Sequence, residues 1–269
     1  MKNLNPNHKN RARQHKTCLN CGQKTVNNFC SVCGQKTNTH RITIKHFFMH
    51  DLLHGTFHIE RGILFTAKEA LLRPGKAALD YIVGKRVKYY NVFYLILILI
   101  GINILLGGGL NEMVANQSQD KEGDKMFSEI LGKYTKQIIF AFVPIFAVNS
   151  FLIFRRKKLN FAELLVVAGM IFLGMMIISI MGGVVLYFDD YKPLETLWRI
   201  MYLIVSLGSF MFMLFGYRNA FREDYTALGY FWRISLFVLL YALETIILLI
   251  TLLMFSYDLN LRDFKGFKI

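Results

Sequence analysis

Four cysteines, Cys18, Cys21, Cys30 and Cys33, are the only ones in the chain and fall within sixteen residues. They stand as Cys18-x-x-Cys21-Gly22 and Cys30-x-x-Cys33-Gly34, with eight residues between the pairs. Each Cys-x-x-Cys-Gly has the spacing of a metal-binding knuckle. Two sulfurs converge on one ion, and the following Gly lets the backbone turn so that amides face the thiolates. Two knuckles make a closed tetrahedral set of four thiolates with no open position, which is a structural site and not a catalytic one. A segment this short cannot build a core, so metal binding supplies most of its folding free energy. The expected cofactor is one structural Zn2+ per chain. A rubredoxin-like iron site uses the same ligands. Two disulfides would need an oxidising compartment, against the topology below. A thioredoxin-like redox pair would need a βαβ setting, which is missing. Phe29, beside the second knuckle, is expected as a small packing anchor.

His46, His50, His54 and His58 recur every fourth residue, so on a helix they share one slowly drifting face. Such pairs can hold a transition metal. Imidazole also titrates near neutrality, which makes a pH-sensitive face the other functional reading. No carboxylate or cysteine completes a ligand set. The plainer reading is the polar edge of an interfacial helix, with Asp51 and Glu60 as hydrogen-bond partners.

Glu244 sits inside a long apolar run, followed by Thr245. An acid there is costly and faces a bundle interior or a water-filled cavity. With Asn103, Asn149, Ser150, Ser179, Ser206 and Ser209 it could line a substrate or ion path. The structural alternative is an interhelical hydrogen bond, or a pair with Arg199 or Arg233. No nucleophile–base pair, phosphate loop, carboxylate pair or His-Glu-x-x-His motif occurs, so an enzyme reading has no residue support.

The elements that must carry these residues follow from composition. The 269 residues are 54% hydrophobic and 19% charged, with a mean hydropathy of +0.36. That excludes a disordered chain, a collagen-like chain and a disulfide-dense secreted domain. The net charge of +14 is unevenly placed. Residues 1–90 hold 16 Lys/Arg against 4 Asp/Glu, and residues 91–269 hold 16 against 14. A helix needs about 20 apolar residues to cross a hydrocarbon core of about 30 Å. Five stretches qualify or come close: 91–110, 137–154, 164–188, 197–217 and 231–255. The fold class is therefore an all-α membrane protein of about five transmembrane helices, preceded by a small four-cysteine zinc ribbon and amphipathic juxtamembrane helices.

The order predicted along the chain is a basic tail (1–17), the ribbon (18–40), juxtamembrane helices (41–90), the transmembrane bundle (91–255) and a C-terminal tail (256–269). Within 41–90, helical periodicity runs through Ile42 to Phe57 and again through Ile63 to Leu72. Arg73-Pro74-Gly75 breaks it, and a second helix runs from about 76 to 83 before Gly84. These cationic helices lie on an anionic membrane surface or pack under the bundle. Lys85, Arg86 and Lys88, then Arg155, Arg156, Lys157 and Lys158, then Arg218, Arg222 and Arg233 mark one side of the membrane, the cytoplasmic one. The N-terminus is expected inside and the C-terminus outside, in a bacterial inner membrane. Residues 1–17 have no apolar core, so no secretory signal is expected.

Several runs resemble a bacterial, Bacteroidota-type family of membrane proteins, a domain-of-unknown-function family with an N-terminal zinc ribbon. They are Cys18-Leu19-Asn20-Cys21-Gly22, Phe29-Cys30-Ser31-Val32-Cys33-Gly34-Gln35, Arg41-Ile42-Thr43, Arg73-Pro74-Gly75-Lys76 and Tyr81 to Tyr89. Asn91-Val92-Phe93 departs from the family, which often has Pro there. The resemblance implies a cytoplasmic ribbon and an inner-membrane bundle, and supplies no activity.

The functional expectation is a non-enzymatic adaptor or scaffold, whose ribbon recruits or stabilises a protein partner while the bundle contacts anionic headgroups. The alternative is a small transporter or exporter subunit with a polar path near Glu244. Nucleic acid is disfavoured as a partner. The tail has charge but almost no aromatic interleaving, and anionic lipid explains the charge with fewer assumptions.

Overall fold

The computed structural model describes residues 17–37, 39, 41–44, 62–117, 140–186 and 195–256. His46, His50, His54 and His58 lie outside the described residues. The helices are α1 (Gly62–Leu72), α2 (Pro74–Val83), α3 (Val92–Gln117), α4 (Phe140–Ile153), α5 (Phe161–Leu186), α6 (Glu195–Phe221) and α7 (Ala227–Ser256). One 3-10 turn, Arg222–Asp224, joins α6 to α7. Among the described residues the ribbon has only isolated bridges, Thr17 with Lys24 and Phe29 with Lys36.

Local chemistry sets the helix ends. Asn91 caps α3, its side-chain oxygen accepting from the Phe93 amide at 3.0 Å. Asn160 and Glu163 form a capping box at the start of α5. The Glu163 amide donates to Asn160 Oδ1 at 2.8 Å, and the Asn160 amide donates to Glu163 Oε2 at 2.9 Å. Pro74 opens α2, where a missing N–H costs nothing. Gly84 closes it at φ +118, with its amide donating to Tyr81 O at 3.1 Å and the Lys85 amide to Asp80 O at 3.0 Å.

Among the described residues three helices are long and apolar enough to cross a membrane, over Phe161–Gly183, Leu203–Asp224 and Ala227–Thr251. That is fewer than the five expected. The second expected stretch, 137–154, yields α4, whose fourteen described residues reach only about 21 Å at 1.5 Å per residue. The first expected stretch, 91–110, lies in α3 (Val92–Gln117), which is apolar over its described part, Val92–Asn103.

Helix α5 is central. Leu164 to Ala168 and Met170 to Leu173 are all buried, and α5 packs against α1, α2, α3 and α6. Helix α4 closes the other side through rings: Phe142 meets Phe172 of α5, and Phe146 meets Tyr217 of α6 and Tyr241 of α7. By contrast α6 and α7 turn apolar faces outward, among them Leu203, Leu207, Met211, Leu239, Leu243 and Ile250. Such surface suits hydrocarbon and not water.

The α1–α2 hairpin is not simply laid on a surface. Ala70, Ala77 and Ala78 are fully buried. A Cβ at Gly75 would stand 2.4 Å from Ala220 N and 2.5 Å from Gly216 O, so α2 meets the α6 backbone directly. A Cβ at Gly174 of α5 would stand 2.7 Å from Ala70 O. Small residues at these crossings let backbones touch. Because the obstacle at Gly75 is backbone, Gly75→Ala is expected to cost on the order of 3 kcal/mol, the range of overpacked cores. Gly101→Ala, where an added Cβ meets nothing within 4 Å, is expected to leave stability unchanged or slightly raised. Thermal unfolding of the two purified variants checks this, and equal melting would refute the close crossing.

Candidate metal centre

The two knuckles repeat one geometry twelve residues apart. The Cys18 amide donates to Gln23 O at 2.7 Å and the Gly22 amide to Cys18 O at 2.9 Å. The Cys30 amide donates to Gln35 O at 2.8 Å and the Gly34 amide to Cys30 O at 2.8 Å. Gly22 and Gly34 take φ of +77 and +74, the left-handed turn that favours glycine. The result brings all four Sγ atoms within 4.8 Å of one another, with Cys18–Cys33 and Cys21–Cys30 each at 3.5 Å. A tetrahedral site with metal–sulfur bonds of about 2.3 Å has sulfur–sulfur edges of about 3.8 Å. The cluster is therefore close to the size one ion needs. All four thiols are free of disulfides.

The electrostatics fit a cation. The amides of Cys33 and then Val32 face the Cys30 sulfur and lower its pKa to about 7. Cys21 goes the other way, to about 12: the Gln23 amide pulls it down, but desolvation and the three neighbouring sulfurs outweigh it. Four thiolates cannot crowd together uncompensated, and a soft divalent ion removes that conflict.

Two ties hold the ribbon to the helices, and neither was visible in the cysteine motif. Gln35, 4% exposed, donates through Nε2 to Gly84 O at 2.6 Å, and its Oε1 accepts from the Arg86 amide at 3.1 Å. Leu19, inside the first knuckle, packs on Gly84; a Cβ there would meet Leu19 Cδ1 at 2.6 Å. The second tie follows the ribbon. Arg41 donates through Nε and Nη2 to both oxygens of Glu163 at 2.8 Å, and through Nη2 to Lys158 O at 2.9 Å. Asn160 Nδ2 donates to Ile42 O at 2.8 Å, and Ile42 is buried. The hydrogen bond to Glu163 holds the Arg41 guanidinium above its ordinary pKa. The Asn160-x-x-Glu163 spacing before an apolar run was the sequence signal for the α5 end of this tie. For Gln35 there was none, because Gly-Gln-Lys-Thr follows the second cysteine of both knuckles.

Other expected residues fall as follows. Phe29 is not a packing anchor: it is 60% exposed, because the metal site leaves no core for it to enter. Glu244 Oε2 accepts from Asn149 Nδ2 of α4 at 2.6 Å. Arg233, one of its two expected partners, instead lies over the Tyr225 ring at 4.3 Å. The side chain of Arg199, the other, lies outside the described residues. A charge cluster missed in the sequence sits on the hairpin. Arg73 pairs with Glu69 and, at 3.3 Å, with Asp80, while Lys85 reaches Asp80 at 2.7 Å. Burial, then Asp80 and Glu69, push the nearby Tyr89 hydroxyl up.

A family model described as Protein of unknown function (DUF3667) matches residues 60–102. That stretch includes α1, α2, the Gly84 turn and the first part of α3, so the match covers the docking hairpin and leaves the ribbon outside. No curated protein and no solved structure matches the chain.

Removing the Gln35 side chain takes away its bonds to Gly84 O and to the Arg86 amide, which keep their 3.1 Å bond to each other, without touching a sulfur. Gln35→Ala is expected to weaken docking by about 1–3 kcal/mol. Limited proteolysis of the purified protein should then cut faster between the ribbon and α1, with metal content unchanged. An unaltered digestion pattern would remove Gln35 from the docking contact.

Proposed function

We propose that the protein is a membrane-anchored adaptor whose zinc-stabilised ribbon presents an apolar edge to a protein partner. The observation that carries this reading is the exposure of Val26, Phe29 and Val32, at 90, 60 and 68%, on a ribbon tied to the helices through Gln35 and Leu19. Large apolar residues left exposed on a small polar domain favour an interaction surface. The four sulfurs leave no ligand position open for chemistry, which supports a structural role for the ion. Zinc is the ion this set fits best, since paired cysteine knuckles of this spacing suit its tetrahedral preference.

The ribbon belongs on the cytoplasmic side of a bacterial inner membrane in this reading. Support comes from the basic segments, which converge at one end. Lys157 pairs with Asp224 at 3.0 Å, Lys76 with Glu223 at 3.6 Å, and Arg41 bonds to Lys158 O. Lys/Arg-rich ends face the cytoplasm. Five crossings, with N-terminus inside and C-terminus outside, remain the proposed topology, with α3 and α4 supplying the two shorter ones. Transport along a polar path at Glu244 is the lesser reading, because a bond from Asn149 favours helix packing over a path.

Two measurements test the adaptor. Elemental analysis of purified protein should give about one zinc per chain, lost on Cys18→Ser. Cross-linking in membranes should capture a partner through wild-type ribbon and lose it in a Val26→Ser, Phe29→Ser double variant that keeps its zinc. An unchanged partner list in that variant would sink ribbon-mediated recruitment.

A further inference from the structure

We propose that the turn between α6 and α7 forms a binding site for a phosphate-bearing anion, built from Arg156, Arg218, Arg222, Arg233, Tyr225 and Tyr230. Tyr225 is the hub. Its ring carries the Arg233 guanidinium at 4.3 Å and that of Arg156 at 4.8 Å, and its hydroxyl accepts from the Arg156 amide at 3.1 Å. Its carbonyl accepts from Arg222 Nη1 at 2.8 Å. The ring and the backbone therefore hold three guanidiniums in place before any ligand arrives.

Those guanidiniums are not neutralised. Arg156 donates to Asp224 O at 2.9 Å and Arg233 to Gly229 O at 2.9 Å, both backbone carbonyls. Among the described residues none of the four arginines pairs with a carboxylate. The local acids are engaged elsewhere, Asp224 with Lys157 and Glu223 with Lys76. On the hairpin, by contrast, Arg73 and Lys85 are answered by Glu69 and Asp80.

A second, independent observation points to a ligand. The Tyr230 hydroxyl is buried and has no hydrogen-bond partner, on a residue only 9% exposed. Arg218 and Arg222 act on it electrostatically. A buried hydroxyl without a partner is a cost the fold bears for some reason. An anionic oxygen placed among the arginines would accept from it, and guanidinium forks match phosphate oxygens in shape. The site lies where two helices long enough to cross a membrane end and begin, the level of lipid headgroups. The same chemistry would serve a lipid phosphate or a soluble one.

Titration of the full-length protein in detergent separates these. The probes are short-chain phosphatidylglycerol, short-chain phosphatidylcholine and inorganic phosphate, with thermal shift and affinity as readouts. Saturable binding of phosphatidylglycerol over phosphatidylcholine assigns the site to anionic lipid, and equal binding of inorganic phosphate assigns it to the free anion. In either case Arg222→Gln is expected to weaken the affinity roughly tenfold, as losing a charged hydrogen bond does. Tyr230→Phe supplies the sharper test, since it preserves packing and removes only the unpartnered hydroxyl. It is expected to keep or raise the unliganded melting temperature and yet weaken binding roughly fivefold. Arg155→Gln, whose native side chain donates to Leu152 O at 3.2 Å on its own helix, should bind as wild type. No saturable binding of any probe, or unchanged affinity in Tyr230→Phe, overturns the site.

Discussion

The contact of Gly75 with the backbone of α6 fixes where everything on the ribbon side of the molecule can be. With no Cβ at that position, the first turn of α2 settles against Gly216 and Ala220, and the Lys76 amide donates to Asn219 Oδ1 at 2.8 Å. From there α2 runs ten residues, about 15 Å, to Gly84. Gly84 is at once the left-handed end of the helix and the seat of the ribbon. The helix is thus a strut, anchored on a membrane-length helix at one end and carrying the cysteine cluster at the other. The Arg41–Glu163 tie arrives from the opposite end of the ribbon and lands on α5. Two attachments to two different helices fix the orientation of the ribbon against the bundle.

Charge is handled differently at the two places where it gathers. Glu163 is almost fully buried, and its carboxylate is occupied by Arg41 and by its own helix cap. Glu69 and Asp80 are likewise answered by Arg73 and Lys85. A buried ion pair adds little net stability once desolvation is counted, but losing one partner is costly. These pairs therefore act as registration: they make only one docking of hairpin and ribbon acceptable. At the α6–α7 turn the same logic is left incomplete, with guanidiniums resting on rings and carbonyls. Aromatic faces attract cations without neutralising them, so the positive field there stays available.

What the sequence made legible was local. The knuckle spacing, the arrest of a helix at Gly84 and the apolar length of α5, α6 and α7 all depend on neighbours within a few residues. What stayed hidden depends on distant partners. Gly75 reads as a helix breaker after Pro74, yet its purpose lies about 140 residues away on α6. Gln23 and Gln35 occupy equivalent places in two copies of one motif, and only the second is buried. No pattern in the chain distinguishes them, because the difference is made by Gly84. Asn91, a departure from the resembled family, becomes intelligible as the cap of α3. Five spans were anticipated, and among the described residues three helices meet the length and hydropathy required.

The ribbon's exposed edge follows from how its folding is driven. A domain of some twenty residues has too few side chains to both fill a core and cover it. Were one ion to draw the four sulfurs together, no core would be needed, and apolar residues would be released from that duty. Val26, Phe29 and Val32 can then point outward without weakening the fold that displays them. Leu19 shows the same release used inward, against Gly84. Leu19 and Gln35 attach the ribbon to the strut, while Val26, Phe29 and Val32 stay exposed. A near-symmetric repeat thus carries both attached and exposed residues, the arrangement that the proposed adaptor role calls for.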